Sequence, residues 1–242
     1  MVHAGALGVA TVAAGAFAHL APGIVFLRRA RSVVLPGLAG VGRSDHVALS
    51  FDDGPDPEST PAFLDELERL GLAATFFLLG SQVRRARGLC AEIVERGHEL
   101  GVHGDTHANH LLRPAGWVTD DLRRARDLIE EASGVELRWF RPPYGALAAS
   151  SLVAARRTGL RPVLWTTWGR DWRPGIEAED VVAEVRATMR PGATVLLHDS
   201  DLTSAPGSWK RTLTALPALA GDWQAAGLAV GPLREHGIGR GR

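Results

Sequence analysis

From Val47 onward the chain alternates short apolar runs with stretches of helical periodicity, and no segment repeats. The runs are Val47–Phe51, Ala74–Leu79, Glu99–Val102, Leu137–Phe140, Pro162–Trp165 continuing to Asp171, Thr194–Leu197 and Leu228–Val230. Helical patterns lie near Thr60–Leu70, Arg84–Gly97, Thr119–Ser133, Ser150–Thr158, Glu177–Met189 and after Trp209. In the first of these, Phe63, Leu64, Leu67 and Leu70 share one face and Gly71 closes the helix. Such alternation predicts βα units around a parallel sheet. The segment from about His46 to His236 has 191 residues, fewer than the roughly 250 of eight complete units. The expected fold is therefore α/β, a distorted (β/α) barrel. Asp52/Asp53, His103, Arg141, Asp171 and His198 each follow a different run. In a parallel barrel those carboxyl ends share one face, where such barrels carry their active sites.

The run VALSFDDGPDP stops at two adjacent carboxylates, Asp52 and Asp53, before a Gly-Pro step. Side-by-side carboxylates repel and lose solvation, so a fold tolerates them where a cation or a catalytic task needs them. A capped turn is the plain alternative, since Asp56 or Ser59 could start the next helix. His103 and His107 are separated by three residues in HGDTH. Two imidazoles at that spacing, with Asp53 as the carboxylate, make the donor set of a hydrolytic zinc-type site. Solvated loop histidines are the alternative, and His110 competes with His107 as a ligand.

Composition narrows the partners. The 27 basic and 27 acidic residues balance, and no basic block is long enough to follow a phosphate backbone, so nucleic acid is not an expected partner. The single cysteine, Cys90, can form no intrachain disulfide and sits in a helical pattern as core filling. Residues 1–44 are set apart as an apolar segment and connector from a catalytic domain at 45–242. Residues 4–27 are long enough for a bilayer, which needs about 20 apolar residues. A membrane anchor, a cleaved signal and a helix packed outside the barrel all fit this run. Membrane or cell-envelope association is the favoured expectation, although the basic Arg28, Arg29 and Arg31 follow the run.

Taken in order, SFDDGP, HGDTH, RPPYG, RDW and LLHD resemble the five motifs of the polysaccharide deacetylase family, also called the NodB-homology domain. The resemblance implies a distorted barrel of about seven parallel strands and metal-dependent removal of acetyl groups from N-acetylglucosamine-type residues of peptidoglycan or a chitin-like glycan. It implies a divalent metal, zinc first and cobalt or manganese as substitutes, held by Asp53, His103 and His107. Asp52 would be the general base toward the metal-bound water and His198 the general acid for the departing amine. Arg141 would orient Asp52 through a bidentate ion pair, and Asp171 would hold His198. The Tyr144 N–H would bind the oxyanion, Pro142 would contribute to substrate binding, and Trp172 and Leu196 would line the acetyl pocket. Asp199 and Asp201 are expected to shape the loop after His198, and Trp165 and Trp168 to serve packing. Two positions depart from the family pattern. Gly104 stands where a bracing Ser or Thr hydroxyl is common, and Trp168 replaces a commonly acidic residue, which would narrow one wall of the cleft or make it more apolar. An O-acetyl esterase on xylan or a related polymer, and a carbohydrate-binding domain without turnover, are the alternatives. A monomer is expected.

Overall fold

A computed structural model describes residues 28–238. The N-terminal apolar run expected as a helix, anchor or signal lies outside the described residues. Among the described residues, no helix is long and apolar enough to cross a membrane.

Seven parallel strands form one curled sheet in the order β5-β4-β3-β2-β1-β7-β6, with a short eighth strand pairing the start of β1. They are β1 (His46–Asp52), β2 (Thr75–Leu79), β3 (Glu99–Gly104), β4 (Trp139–Phe140), β5 (Arg161–Pro162), β6 (Thr167–Trp168), β7 (Thr194–His198) and β8 (Ala229–Gly231). The distorted (β/α) barrel expected from the sequence is the fold observed. Helices α3 (Thr60–Leu70), α5 (Gly88–Glu95), α6 (Ala115–Ser133), α7 (Ala149–Thr158), α8 (Ala178–Thr188) and α9 (Ser208–Ala225) supply the outer layer. The shorter α1 (Arg28–Val34), α2 (Pro36–Ala39) and α4 (Gly80–Val83) lie in the connections.

The period-2 alternation of strand side chains decides what reaches the interior. In β1, Val47, Leu49 and Phe51 join the large core between sheet and helices, while Ala48 belongs to a separate inner cluster with Phe77 and Trp139. Ser50 and Asp52 share the parity of Ala48 and so face inward. In β7, Val195 and Leu197 point out and Leu196 points in, which places His198 on the inner side as well. In β3 the outward Leu100 and Val102 leave His103 facing in. Phe51 packs between Phe63 and Phe76, ring centres 5.1 Å from each. Truncating it to Ala would cost about 3–5 kcal/mol by opening a cavity at the strand that carries both carboxylates.

The structure corrects several boundaries. The run from Pro162 toward Asp171, read as one strand, is two. β5 pairs β4 at one edge of the sheet and β6 pairs β7 at the other. Among the described residues no pairing joins β5 to β6, so the chain crosses the open side between them. Val163 N–H still pairs with β4, donating to the Phe140 carbonyl (2.9 Å), but on the open side Pro162 has no N–H to offer a further strand, and the donors beyond go elsewhere. Leu164 N–H donates to the Leu38 carbonyl (2.8 Å) and Thr166 N–H to the Thr194 carbonyl (3.1 Å). The connector helps fill the same seam. The Thr194 hydroxyl donates to the Gly40 carbonyl at 2.6 Å, and the buried Arg31 donates from Nη2 to the Trp165 carbonyl at 2.8 Å. The predicted helix at Arg84–Gly97 is shorter, Gly88–Glu95, and the one at Thr119–Ser133 starts earlier, at Ala115 behind Pro114. His103 lies within β3 rather than after it.

Candidate active site

At the carboxyl ends of β1, β3 and β7 the inward side chains meet. The Asp53 Oδ1 atom stands 3.4 Å from His103 Nε2 and 3.4 Å from His107 Nε2. One ligand atom from each of the three lies within 4.8 Å of the others. His103 Nδ1 faces the Arg141 carbonyl at 2.9 Å. A carbonyl can only accept, so Nδ1 carries a hydrogen and Nε2 is the nitrogen facing Asp53. Asp53 is fully buried, and its Oδ1 has no hydrogen-bond partner in the structure. Burial alone would raise its pKa, yet the contact with His103 and the charge of His198 hold it well below the usual carboxylate range. Burial, with His103 adding to it, pushes His107 down to about 4, keeping it a neutral imidazole. An ionised carboxylate oxygen without a donor and two imidazole nitrogens aimed at it suit a divalent cation with mixed N/O ligands.

His110, the competing ligand, belongs elsewhere. It is fully buried, 3.2 Å from the Ser151 hydroxyl and stacked on Phe140.

Asp52 is the last residue of β1. Arg141, fully buried, donates from Nη1 to Asp52 Oδ1 at 2.7 Å and to the Ser50 hydroxyl at 2.9 Å. The bidentate pair expected here is absent. Arg141 Nη2 instead reaches the Leu164 carbonyl at 3.3 Å, and the guanidinium lies 4.1 Å from the Phe77 ring centre. Asp52 Oδ2 is thereby left 3.8 Å from His103 Nε2.

His198, the Cα register partner of Asp52 across the β1–β7 pair, turns to a different partner. Its Nδ1 donates to Asp171 Oδ1 at 2.8 Å, while its main-chain N–H and the Thr212 hydroxyl each donate to Asp171 Oδ2 at 2.8 Å. Burial would lower the His198 pKa, but Asp171, with Asp53 and Asp52 beyond it, raises it to about 10.

A cavity of about 320 Å³ opens over these groups, lined by Asp52, His103, His107 and His198. Trp172 and Leu196 line it as expected, and Tyr144 stands at its edge with φ +60° and its ring centre 4.3 Å from that of His107. A non-glycine residue in that region is held there by its surroundings. Pro142 is buried at the start of the turn carrying Tyr144 and is not among the cavity-lining residues. Trp168 lines it too, as expected from its place at the cleft wall, while sequence reasoning missed three others: Trp165, assigned to packing, together with Gly145 and Thr203. The aromatic wall is continuous. Trp165 meets Trp168 at 5.8 Å, Trp168 meets Trp172 at 5.1 Å and Trp172 meets His198 at 5.7 Å. Seven tryptophans in the chain, three of them within eight residues, were the available signal.

The brace missing at Gly104 comes from elsewhere. Gly104 has φ +115°, and a Cβ there would meet Thr106 O at 2.9 Å. The loop is held by Asp121 of α6, whose carboxylate accepts from Asp105 N–H at 2.9 Å and from the Thr106 hydroxyl at 3.1 Å. Asp199, also buried, accepts from the Thr60 hydroxyl at 2.6 Å, and Asp201 accepts from Gly207 N–H at 2.6 Å.

The family model for polysaccharide deacetylase matches residues 39–163. The chain belongs to the polysaccharide deacetylase family. A chitooligosaccharide deacetylase of Bradyrhizobium sp. (strain ANU 289) is 36% identical over 199 residues, covering 77% of this chain and 88% of the relative. A peptidoglycan-N-acetylglucosamine deacetylase of Listeria monocytogenes is 34% identical over 76% of this chain and 39% of its own length. Among solved structures, the peptidoglycan N-acetylglucosamine deacetylase Bc1960 superposes with a TM-score of 0.77 at 26% identity, covering 86% of this chain and 95% of that one. The deacetylase assignment makes the chain an enzyme, and the cavity above is its candidate active site.

Proposed function

We propose that this chain removes acetyl groups from N-acetylglucosamine-type residues of a glycan, peptidoglycan or chitin-like, using Asp52 as general base and His198 as general acid. The observation that carries the reading is the pairing of these two register neighbours with opposite counter-charges, Arg141 for Asp52 and Asp171 for His198. Adjacent titratable groups pushed toward opposite charge states have divided the acid and base roles between them.

An acetamide is a weak electrophile with a poor leaving group, so its hydrolysis calls for carbonyl polarisation, an activated water and a proton for nitrogen. A divalent ion held by Asp53, His103 and His107 would supply the Lewis acidity and lower the pKa of the attacking water. Arg141 holds Asp52 Oδ1, which leaves Asp52 Oδ2 to take the proton. His198, charged through Asp171, delivers a proton to the amine from Nε2. The Tyr144 N–H, in the first turn of a 3₁₀ helix where no intrahelical acceptor is available, is directed to the oxyanion. Leu196 and Trp172 receive the acetyl methyl. A firmly held proton donor favours an amide over an ester, whose alkoxide leaves with less help. The protein acts as a monomer on its glycan, with residues 4–27 as the segment that would contact a membrane.

The test is acetate release from an acetylated chito-oligomer and from peptidoglycan fragments, with and without a chelator, beside acetylated xylan. Turnover indifferent to the chelator, or full activity in Asp52→Asn, overturns the mechanism. Release from xylan alone transfers the site to the ester reading.

A further inference from the structure

The carboxylate of Asp53 has two oxygens in different situations. Oδ1 is aimed at both imidazoles, whereas Oδ2 accepts a 2.6 Å hydrogen bond from the hydroxyl of Thr203, 150 residues away on the loop between β7 and α9. Thr203 is exposed, yet its hydroxyl reaches a side chain that is fully buried, and the residue also lines the cavity. The loop does not need that bond for its shape. Gly207 N–H donates to Asp201 Oδ2 at 2.6 Å, Leu202 N–H to the Ser200 hydroxyl at 3.1 Å, and Ser204 N–H to the Asp201 carbonyl at 3.1 Å. Ala205 N–H donates to the Trp172 carbonyl at 3.1 Å, tying the loop to the aromatic wall.

We propose that Thr203 is a positioning residue for the metal site: by occupying Asp53 Oδ2 it fixes the carboxylate so that Oδ1 alone is presented to the cation, and it couples the grip on the ion to the loop that borders the cleft. The inference rests on the reading of Asp53, His103 and His107 as the metal ligands. Without the hydroxyl, Asp53 can rotate about its Cβ–Cγ bond and offer either oxygen or both. Outer partners that orient a ligating group are worth about 10–100-fold in metal affinity. Because Thr203 is on the surface, its replacement leaves the core untouched.

The experiment strips the full chain with a chelator and titrates zinc(II) back in competition with a chromophoric chelator, then repeats the titration with cobalt(II) while recording its visible absorption. Thr203→Val is expected to weaken zinc binding about 10–100-fold and to alter the cobalt spectrum, with Thr203→Ser within about threefold of the parent. Amide exchange across residues 200–207 should slow on zinc addition in the parent and respond less in Thr203→Val. Zinc affinity in Thr203→Val within about threefold of the parent, with an unchanged cobalt spectrum, overturns the proposal. If Thr203→Val fails to fold, Thr203→Ala takes its place and parent-like affinity there overturns it equally. A parent chain that binds no zinc brings down the ligand assignment itself, an outcome distinct from tight binding that ignores Thr203.

Discussion

The two ends of the barrel both bury titratable groups and treat them in opposite ways. At the amino-terminal end, Glu99 accepts from the Thr75 hydroxyl (2.9 Å), Trp139 Nε1 (3.1 Å) and Arg234 N–H (2.9 Å), and burial still raises its pKa. There too, His46 and His236 face each other through their Nδ1 atoms at 2.9 Å, and His236 Nε2 meets the Gly192 carbonyl at 3.1 Å. One hydrogen per contact satisfies that chain when both rings are neutral, and burial together with His46 pushes His236 down to about 4. At the carboxyl-terminal end the same degree of burial leaves Asp53 ionised and His198 charged, because each faces groups of opposite sign. Burial by itself strips charge, and charge survives only where the fold supplies a counter-charge. The amino-terminal end uses its buried groups to tie segments together, while the carboxyl-terminal end keeps Asp53 and His198 charged beside groups of opposite sign.

Substitutions can break this contrast, beginning with the metal ligands. His103→Ala should abolish acetate release and reduce bound zinc to background, measured by elemental analysis of the dialysed protein. A variant that keeps its zinc would refute the ligand set. Asp52→Asn should next lower kcat/KM by about 10²–10⁴-fold with zinc content unchanged, the range for a lost general base.

Asp171→Asn probes the charged state of His198. His198 sits at about 10 because of Asp171, so losing that charge lowers its pKa and moves the alkaline limb of the kcat/KM profile to lower pH. An accompanying fall of about 10²-fold in kcat is expected, and an unmoved limb would show that Asp171 does not set the proton on His198.

The amino-terminal end should answer through stability alone. His236 is pushed below its ordinary value to about 4, so the unfolded chain takes up its proton first as pH falls. Stability is then complete above about pH 6.5 and is lost toward pH 4, by on the order of 3 kcal/mol for this group. His236→Gln should flatten that part of the melting-temperature profile and leave the alkaline limb of activity in place. An equally steep profile would mean the acid sensitivity arises elsewhere.

Much of the charged end could be read directly. Asp52, Asp53, His103, Arg141, Asp171 and His198 were picked out as polar residues ending apolar runs, and the structure gathers all six around one cavity or its immediate support. The spacing of His103 and His107 was informative because both belong to one strand and its following loop, so local geometry bounds their separation. What escaped has the opposite character. Thr203 contacts Asp53 across 150 residues, and Asp121 braces the metal loop from a helix face that reads as ordinary amphipathic pattern. Trp165 looked like core because apolarity alone does not separate a packed wall from a cavity wall. The split of the run after Pro162 was illegible for a related reason. Apolarity marks a residue as buried without naming the neighbouring strand, and β5 and β6 pair at opposite edges of the sheet.

The sequence alone settled the alternation of strands and helices and the placing of Asp52, His103 and His198 at the ends of apolar runs, since both depend on patterns of a few residues. Only the tertiary structure decided that Arg141 meets Asp52 through a single nitrogen, that residues near Leu38 and Gly40 fill the seam, and that Thr203 closes on Asp53. Those contacts join segments far apart in the chain, where packing of the whole sheet selects the partner and no local pattern records the choice.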